Sequence, residues 1–470
     1  MRPRISFYAD RPPTNRQDVL LIPESLAMTP WVNSLIILIV LSCAAFLPAD
    51  RPWVDVENLS AGDTAWMLTA TGLVLLMTPG LSLFYAGMAS TKNVISTMLQ
   101  SFICLGVVTL VWVVVGFSLA FGDSIGGLIG DPRSYFLFSN VGGSPNPDFA
   151  ETIPFLLYAL FQMKFAVVTP ALITGSFAER VRFSGYLLFI TLFSIFIYAP
   201  VAHWAWHPEG FLRKWGVLDF AGGTTVHTVA GFAALAGAWY MEQRESLKDG
   251  RAHAPANIPF VLIGTGMLWF GWFGFNAGSA LSANYTACFA FLTTTTSSAA
   301  AMLTWIFYDA ARGQKPSALG ACMGAVVGLV AITPAAAFVS VGASIFIGVA
   351  ASLSSNLCVQ WFSRAPLDDT LDVFPCHGVG GMVGMLLTAV FAEDVGLIYG
   401  EFTTLGVHFL CLLIVGSFSF VGSLVLYWVT DHLITLRVSP EEERDGLDIS
   451  QHGEFFGESP KPLPIGQREN

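Results

Sequence analysis

Apolar residues fill this chain in blocks about as long as a bilayer core is thick, separated by short polar loops. A spanning helix needs roughly 20 consecutive apolar residues, so the pattern predicts helices near residues 63–87, 94–122, 152–177, 184–204 and 219–241. A second run of five follows near 258–279, 284–308, 316–334, 337–361 and 369–391, and an eleventh near 403–430. Ahead of them lies a shorter apolar stretch, Trp31 to Leu47, preceded by Arg2, Arg4, Arg11 and Arg16 and followed by a polar segment, 48–62. It reads as a signal peptide or an extra span, although about 30 residues is long for a signal n-region. The chain thus divides into a leader, 1–58, an all-α polytopic membrane domain, 59–430, and a charged tail, 431–470.

Composition agrees: 54% hydrophobic and only 12% charged residues lie outside the range of soluble domains. The net charge of -11 comes from acids in loops and tail, and no basic stripe suggests a nucleic-acid partner. The seven cysteines have no CxxC pairing, which argues against a disulfide framework and a zinc site. Loop cations set orientation. Lys92, Arg180, Arg182, Arg244, Lys248, Arg251, Arg312, Lys315 and Arg364 fall on one side, against Arg133, Arg213 and Lys214 on the other. The richer side is expected in the cytoplasm, with the tail, and the first main helix begins outside.

An odd number of helices per half makes the second half enter from the opposite face, as in an inverted five-plus-five repeat. Two echoes support it. GLSLFYAG (Gly80 to Gly87) in the first helix matches GWFGFNAG (Gly271 to Gly278) in the sixth at both ends. Asp219 precedes His227 by eight positions, and Asp369 precedes His377 by eight, in the fifth and tenth helices. An ionisable residue within a bilayer reads as functional by default. At about 1.5 Å per residue each histidine lies about 12 Å in from its aspartate, so in a core of about 30 Å the two imidazoles are expected within about 6 Å along the membrane normal, near enough to hydrogen-bond. As N-caps, Asp219 is expected to accept from the N–H groups of Ala221 and Gly222, and Asp369 from those of Leu371 and Asp372.

The runs FAVVTPALITGSFAERVRFSGYLLF, YAPVAHWAWHPEGF, LDFAGGTTVH, GWFGFNAGSA, DDTLDVFPCHGVGG and LRVSPEEERDGLDISQHG resemble the ammonium transporters of the Amt/Mep/Rh family, closest to bacterial Amt proteins. The resemblance covers about residues 60 to 450. It implies eleven transmembrane helices in a homotrimer with one pore per subunit, in the cell inner membrane, with no enzymatic activity and no cofactor or metal. His227 and His377 correspond to the twin pore histidines, Phe165 and Phe275 to the gate, and Trp206, Phe161 and Ser279 to the outer recruitment site. Asp219 and Asp369 correspond to supporting aspartates. The tail implies docking beneath neighbouring subunits and a PII-type signal protein as partner.

These residue types suit the chemistry. An indole face attracts a cation by about 0.5 to 2 kcal/mol, and the Ser279 hydroxyl can accept a hydrogen bond from ammonium. A phenylalanine constriction opposes a hydrated ion by dewetting. Ammonium can shed a proton where potassium cannot, and imidazole relays protons near neutral pH. Belt tryptophan and helix packing compete as explanations of Trp206 and Ser279. Two further functions stay open: a membrane cytochrome with the histidines as haem ligands, and an ammonium sensor with little flux. Lys164, beside Phe165, departs from the neutral residue the family carries there; at helical spacing it points away from the gate, toward lipid or a subunit interface.

Overall fold

The computed structural model describes residues 29–43, 58–250 and 254–457. The chain falls into two units, Met1–Trp53 and Val54–Asn470. Of the first unit only α1, Thr29–Ser42, and the adjoining Cys43 are described. Its 14 residues rise about 21 Å, short of a bilayer core. The expected leader otherwise lies outside the described residues.

The second unit is helical. It begins with α2 (Ala61–Met88), whose Ser60 cap accepts from Asp63 N. There follow α3 (Val94–Val111, continued through a π-helical turn into Phe117–Phe121) and α4 (Phe155–Phe177). Next come α5 (Phe183–Phe193, continued likewise into Ala199–Trp206) and α6, a π-helical turn Gly223–Thr228 leading into Val229–Tyr240. The second set is α7 (Ile258–Gly278), α8 (Tyr285–Ala311), α9 (Ala318–Ile332), α10 (Val341–Phe362) and α11, a second π-helical turn Phe374–Val379 leading into Gly380–Phe391. Then come α12 (Thr403–Leu433) and, in the tail, α13 (Pro440–Asp445), closed by a Ser439/Glu442 capping box. Among the described residues eight helices are long and apolar enough to cross a membrane; the protein is a multi-pass membrane protein.

Each of the two echoed glycine motifs packs on the helix that carries the other, at opposite ends of the contact. Helices α2 and α7 run antiparallel in contact, with Gly87 against Asn257 and Val261 at one end and Gly278 against Ala70 at the other. A methyl group on Gly87 would come to 2.6 Å from the Asn257 carbonyl oxygen. Small residues bring helix backbones close where lipid offers no hydrophobic drive.

Two loops cross over in a matched way. The Phe220 and Ala221 N–H groups donate to Pro334 and Thr333 carbonyls, at the end of α9. The Thr370 and Leu371 N–H groups donate to Ser176 and Gly175 carbonyls, in the last turn of α4. These bonds fix the starts of α6 and α11 and correct the capping expected from spacing at Ala221, Leu371 and Asp372, while the expected Gly222 N–H bond to the Asp219 carboxylate is present. Both π-helical turns begin later than predicted, at Gly223 and Phe374, and the three residues after each aspartate are not helical. The Ala221 and Leu371 N–H groups are therefore used by the crossing loops, and the Asp372 N–H donates to the Asp369 carbonyl oxygen. No uniform helical rise connects each aspartate with its histidine.

The described part of the tail docks on its own chain rather than lying free. Arg182 N donates to Leu436 O and Val438 N to Arg180 O. Lys92 Nζ reaches the Glu443 and Arg444 carbonyls at 2.7 and 2.6 Å, and Asp448 accepts from Ser96 N at 2.7 Å and Ile95 N at 3.1 Å. Below it Arg244 forks onto Asp368 (2.9 and 3.0 Å) and Glu179 (3.0 Å), while Arg180 Nη2 donates to the Asp368 carbonyl at 2.6 Å. Burial pushes the Asp368 carboxyl up, but the charges of Arg180 and Arg244 together outweigh it and hold it below the usual carboxylate value.

Candidate functional site: a pore with paired histidines

A cavity of about 450 Å³ narrows onto the interior from the end of α5. Trp206, Phe161, Phe165, Asp219 and Ser279 all line it. Trp206 is held at two points: its Nε1–H donates to the Asp219 carbonyl at 3.0 Å, and its own carbonyl accepts from Arg213 at 2.8 Å. Ser279 Oγ donates to the Phe275 carbonyl at 2.8 Å, which leaves its lone pairs free to accept. Asp148, Arg213 and Gln162 also face this cavity. Sequence reasoning missed Asp148 and Gln162 as lining groups, and used Arg213 only as a loop charge. Lys164 is half-buried and is not among the lining residues, whereas its neighbours Phe161, Gln162 and Phe165 are.

The floor of the cavity is closed by stacked rings. Phe165 and Phe275 lie 4.1 Å apart between centroids at 25°, with Phe161 4.9 Å from Phe165 and Trp206 edge-on to it at 5.7 Å. Phe165 is 1% and Phe275 0% exposed, so nothing hydrated passes without a ring moving.

Behind the stack lies a chamber of about 10 Å³ lined by His227, His377, Phe275, Trp272 and aliphatic residues. That volume holds about one water molecule. The histidines meet here: His377 Nδ1 and His227 Nδ1 are 3.3 Å apart, ring centroids 5.4 Å, and both side chains are buried. One Nδ1 therefore carries the hydrogen and the other accepts it. Trp272 stacks on His227 at 5.3 Å, and its Nε1–H is anchored on Thr333 Oγ1 at 2.9 Å. The Nε2 of His227 is buried with no hydrogen-bond partner among the described residues. A second chamber of about 10 Å³ shares Phe84, Val326 and His377 with the first and adds Asp372, Cys376 and Tyr85. The histidine pair thus stands between two water-sized spaces. A porphyrin does not fit between rings in direct hydrogen-bond contact, which removes the haem alternative.

The π-helical turns place each imidazole in the lumen, and such turns recur at functional sites. Asp219 holds its turn with four bonds: Oδ1 accepts from Gly222 N at 3.0 Å, and Oδ2 from Thr224 N at 3.1 Å and from Thr225 N and Oγ1 at 3.0 Å. Asp369 does so with one, from Phe374 N at 2.7 Å. The second turn abuts α6 just past the first turn, where Gly378 meets Gly231; a methyl group on Gly231 would sit 2.3 Å from the Gly378 Cα.

Comparison with known proteins is in keeping with this geometry. The profile of the Ammonium Transporter Family matches residues 65–456. An ammonium transporter of Aquifex aeolicus is 46% identical over 404 residues, covering 84% of this chain and 93% of the relative. The crystal structure of Candida albicans Mep2 is similar at a TM-score of 0.78 and 33% identity, covering 83% of this chain and 89% of that one. A structure described as a sensor Amt protein is similar at 0.77 and 30%, covering 83% and 98%. The Aquifex aeolicus relative is named a transporter, a class distinct from enzymes. The chain belongs to the ammonium transporter family.

Proposed function

We propose that the protein carries ammonium across a cell membrane as ammonia plus a relayed proton. An ammonium ion is recruited from outside at the cavity, where the Trp206 indole face and the Phe161 ring attract it and Ser279 accepts one of its N–H groups. The Phe165/Phe275 stack refuses the hydrated ion, so the ion leaves a proton behind and ammonia, about the size of water, passes. The proton travels along the linked Nδ1 atoms of His227 and His377. Asp219 and Asp369 act indirectly, by holding the histidine turns. The observation that carries this reading is the pair of imidazoles 3.3 Å apart in a water-sized apolar chamber behind stacked rings.

The matched crossing loops, α6 onto the end of α9 and α11 onto the end of α4, support eleven spans in an inverted five-plus-five repeat. The loop charges support the tail on the cytoplasmic side of an inner membrane. A homotrimer and a PII-type partner on the tail side belong to the same reading. Alkylammonium uptake or ammonium-evoked current in liposomes tests it; absence of both rejects transport. The similarity to a sensor Amt protein favours a second reading, an ammonium receptor with little flux. Flux measured beside a signalling output separates the two.

A further inference from the structure

The second chamber, on the tail side of the histidines, carries a carboxylate that the structure uses for nothing else. Asp219 accepts four hydrogen bonds, Asp369 one, and Asp368 three from Arg244. The Asp372 carboxylate accepts none among the described residues, yet it is half-buried and faces the same water-sized space as His377. Its backbone sits at φ 56°, a left-handed conformation that aspartate and asparagine tolerate better than most residues. The main chain is held independently of the side chain, with Asp372 N on Asp369 O and Cys376 N on Asp372 O.

The other groups around it are committed. Tyr85, from α2, donates its hydroxyl to Leu172 O at 2.8 Å. Asp369, Asp368 and Arg244 act on the Asp372 carboxylate only through their charge, and Cys358 feels it from α10. Within the chamber that leaves the His377 imidazole, the Cys376 thiol and the Asp372 carboxylate.

We propose that Asp372 is the terminal acid of the relay, the group that returns the proton to ammonia at the exit of the pore. The assignment rests on the proton-relay reading above. In the forward direction the Asp372 carboxylate takes the proton from the protonated histidine pair, leaving both imidazoles neutral. Ammonia then takes that proton from the carboxylic acid, giving ammonium and the carboxylate. Each proton shed at the Trp206 end is accounted for at the Asp372 end. The resulting ion pair favours ammonium over ammonia at the exit, which draws the product out of the apolar lumen.

The experiment compares wild type, Asp372→Asn and Asp372→Glu in proteoliposomes, reading ammonium-evoked current at acidic and alkaline pH on the tail side. Asparagine keeps the left-handed backbone and the shape, so D372N isolates the acid. We expect its current to fall by about tenfold or more, the scale of a lost general acid, and to fall further as the tail-side pH rises, since bulk protons must then replace the carboxyl. D372E restores both current and flat profile. Wild-type current and profile in D372N overturn the assignment, as does D372E as inactive as D372N, or a D372N protein that no longer folds, which makes the carboxylate structural. Absence of current in wild type itself rejects the transport reading instead.

Discussion

Between His227 and His377 a single hydrogen fits, because their Nδ1 atoms face each other at 3.3 Å. When His377 donates, His227 carries its other hydrogen on Nε2, and the reverse arrangement reverses both ends. The pair therefore presents a donor to one chamber and an acceptor to the other. Moving a proton through it resets the tautomers, which is what distinguishes a relay from a plain polar lining.

The recruiting indole gives the first expectation. Trp206→Phe keeps an aromatic face but loses the Nε1–H bond to Asp219 O. At about 1 kcal/mol for such a bond, together with a weaker cation–π face, the ammonium concentration for half-maximal flux should rise by roughly fivefold or more. Maximal flux should change little. Concentration dependence of methylammonium uptake checks this, and an unchanged half-saturation contradicts it.

The gate makes a different kind of claim. Phe275→Ala removes a fully buried ring stacked at 4.1 Å on Phe165. Large-to-small core changes of this kind cost about 3 to 5 kcal/mol, so the melting temperature should fall. The opened floor should also raise osmotic water permeability of proteoliposomes. Lower stability with unchanged water permeability would make the stack a packing element and not a gate.

On the tail side, Arg244→Ala should be among the more damaging changes outside the pore. It leaves Asp368 and Glu179 buried without their guanidinium, and losing one partner of a buried pair costs about 3 to 5 kcal/mol. Because Asp368 is held below its usual value in the folded protein, its contribution is present above the ordinary carboxylate range and is lost as pH falls through the lowered value. Acid should therefore loosen wild type more than R244A. Thermal unfolding against pH reads this difference directly.

The docked tail gives an expectation about regulation. Deleting the chain from Ser439 onward removes the partners of Lys92, Asn93 and the α3 N-terminus while leaving all apolar helices. Assembly should persist, and flux or binding of a PII-type protein should change. Unaltered flux and unaltered binding would return this segment to an inert end.

The helices and the histidine pair were legible because hydropathy and a duplicated Asp-x7-His spacing depend only on local sequence. The starts of α6 and α11 were not. Their backbone bonds are taken by Thr333, Pro334, Gly175 and Ser176, residues far away in the chain, so capping rules applied to neighbours named the right N–H group at Gly222 and the wrong ones at Ala221, Leu371 and Asp372. Trp272 beneath His227 and Asp372 beneath His377 were missed for related reasons. Each sat in plain sight within GWFGF and DDTLD, but only the packing of α7 against α6 and of the α11 loop against α2 turns them toward the lumen. The tail's contacts, spread over Lys92, Arg182 and Glu245, left no local signature.

The relay itself is tested most directly by cation selectivity in His227→Asp. A carboxylate in place of one imidazole offers a polar path on which an intact cation can travel, whereas the paired rings demand that the proton and ammonia part. Currents evoked by ammonium and by potassium should be measured in the same proteoliposomes for wild type and H227D. The account predicts ammonium current without potassium current in wild type, and potassium current in the variant. Ammonium selectivity over potassium unchanged in H227D would contradict it.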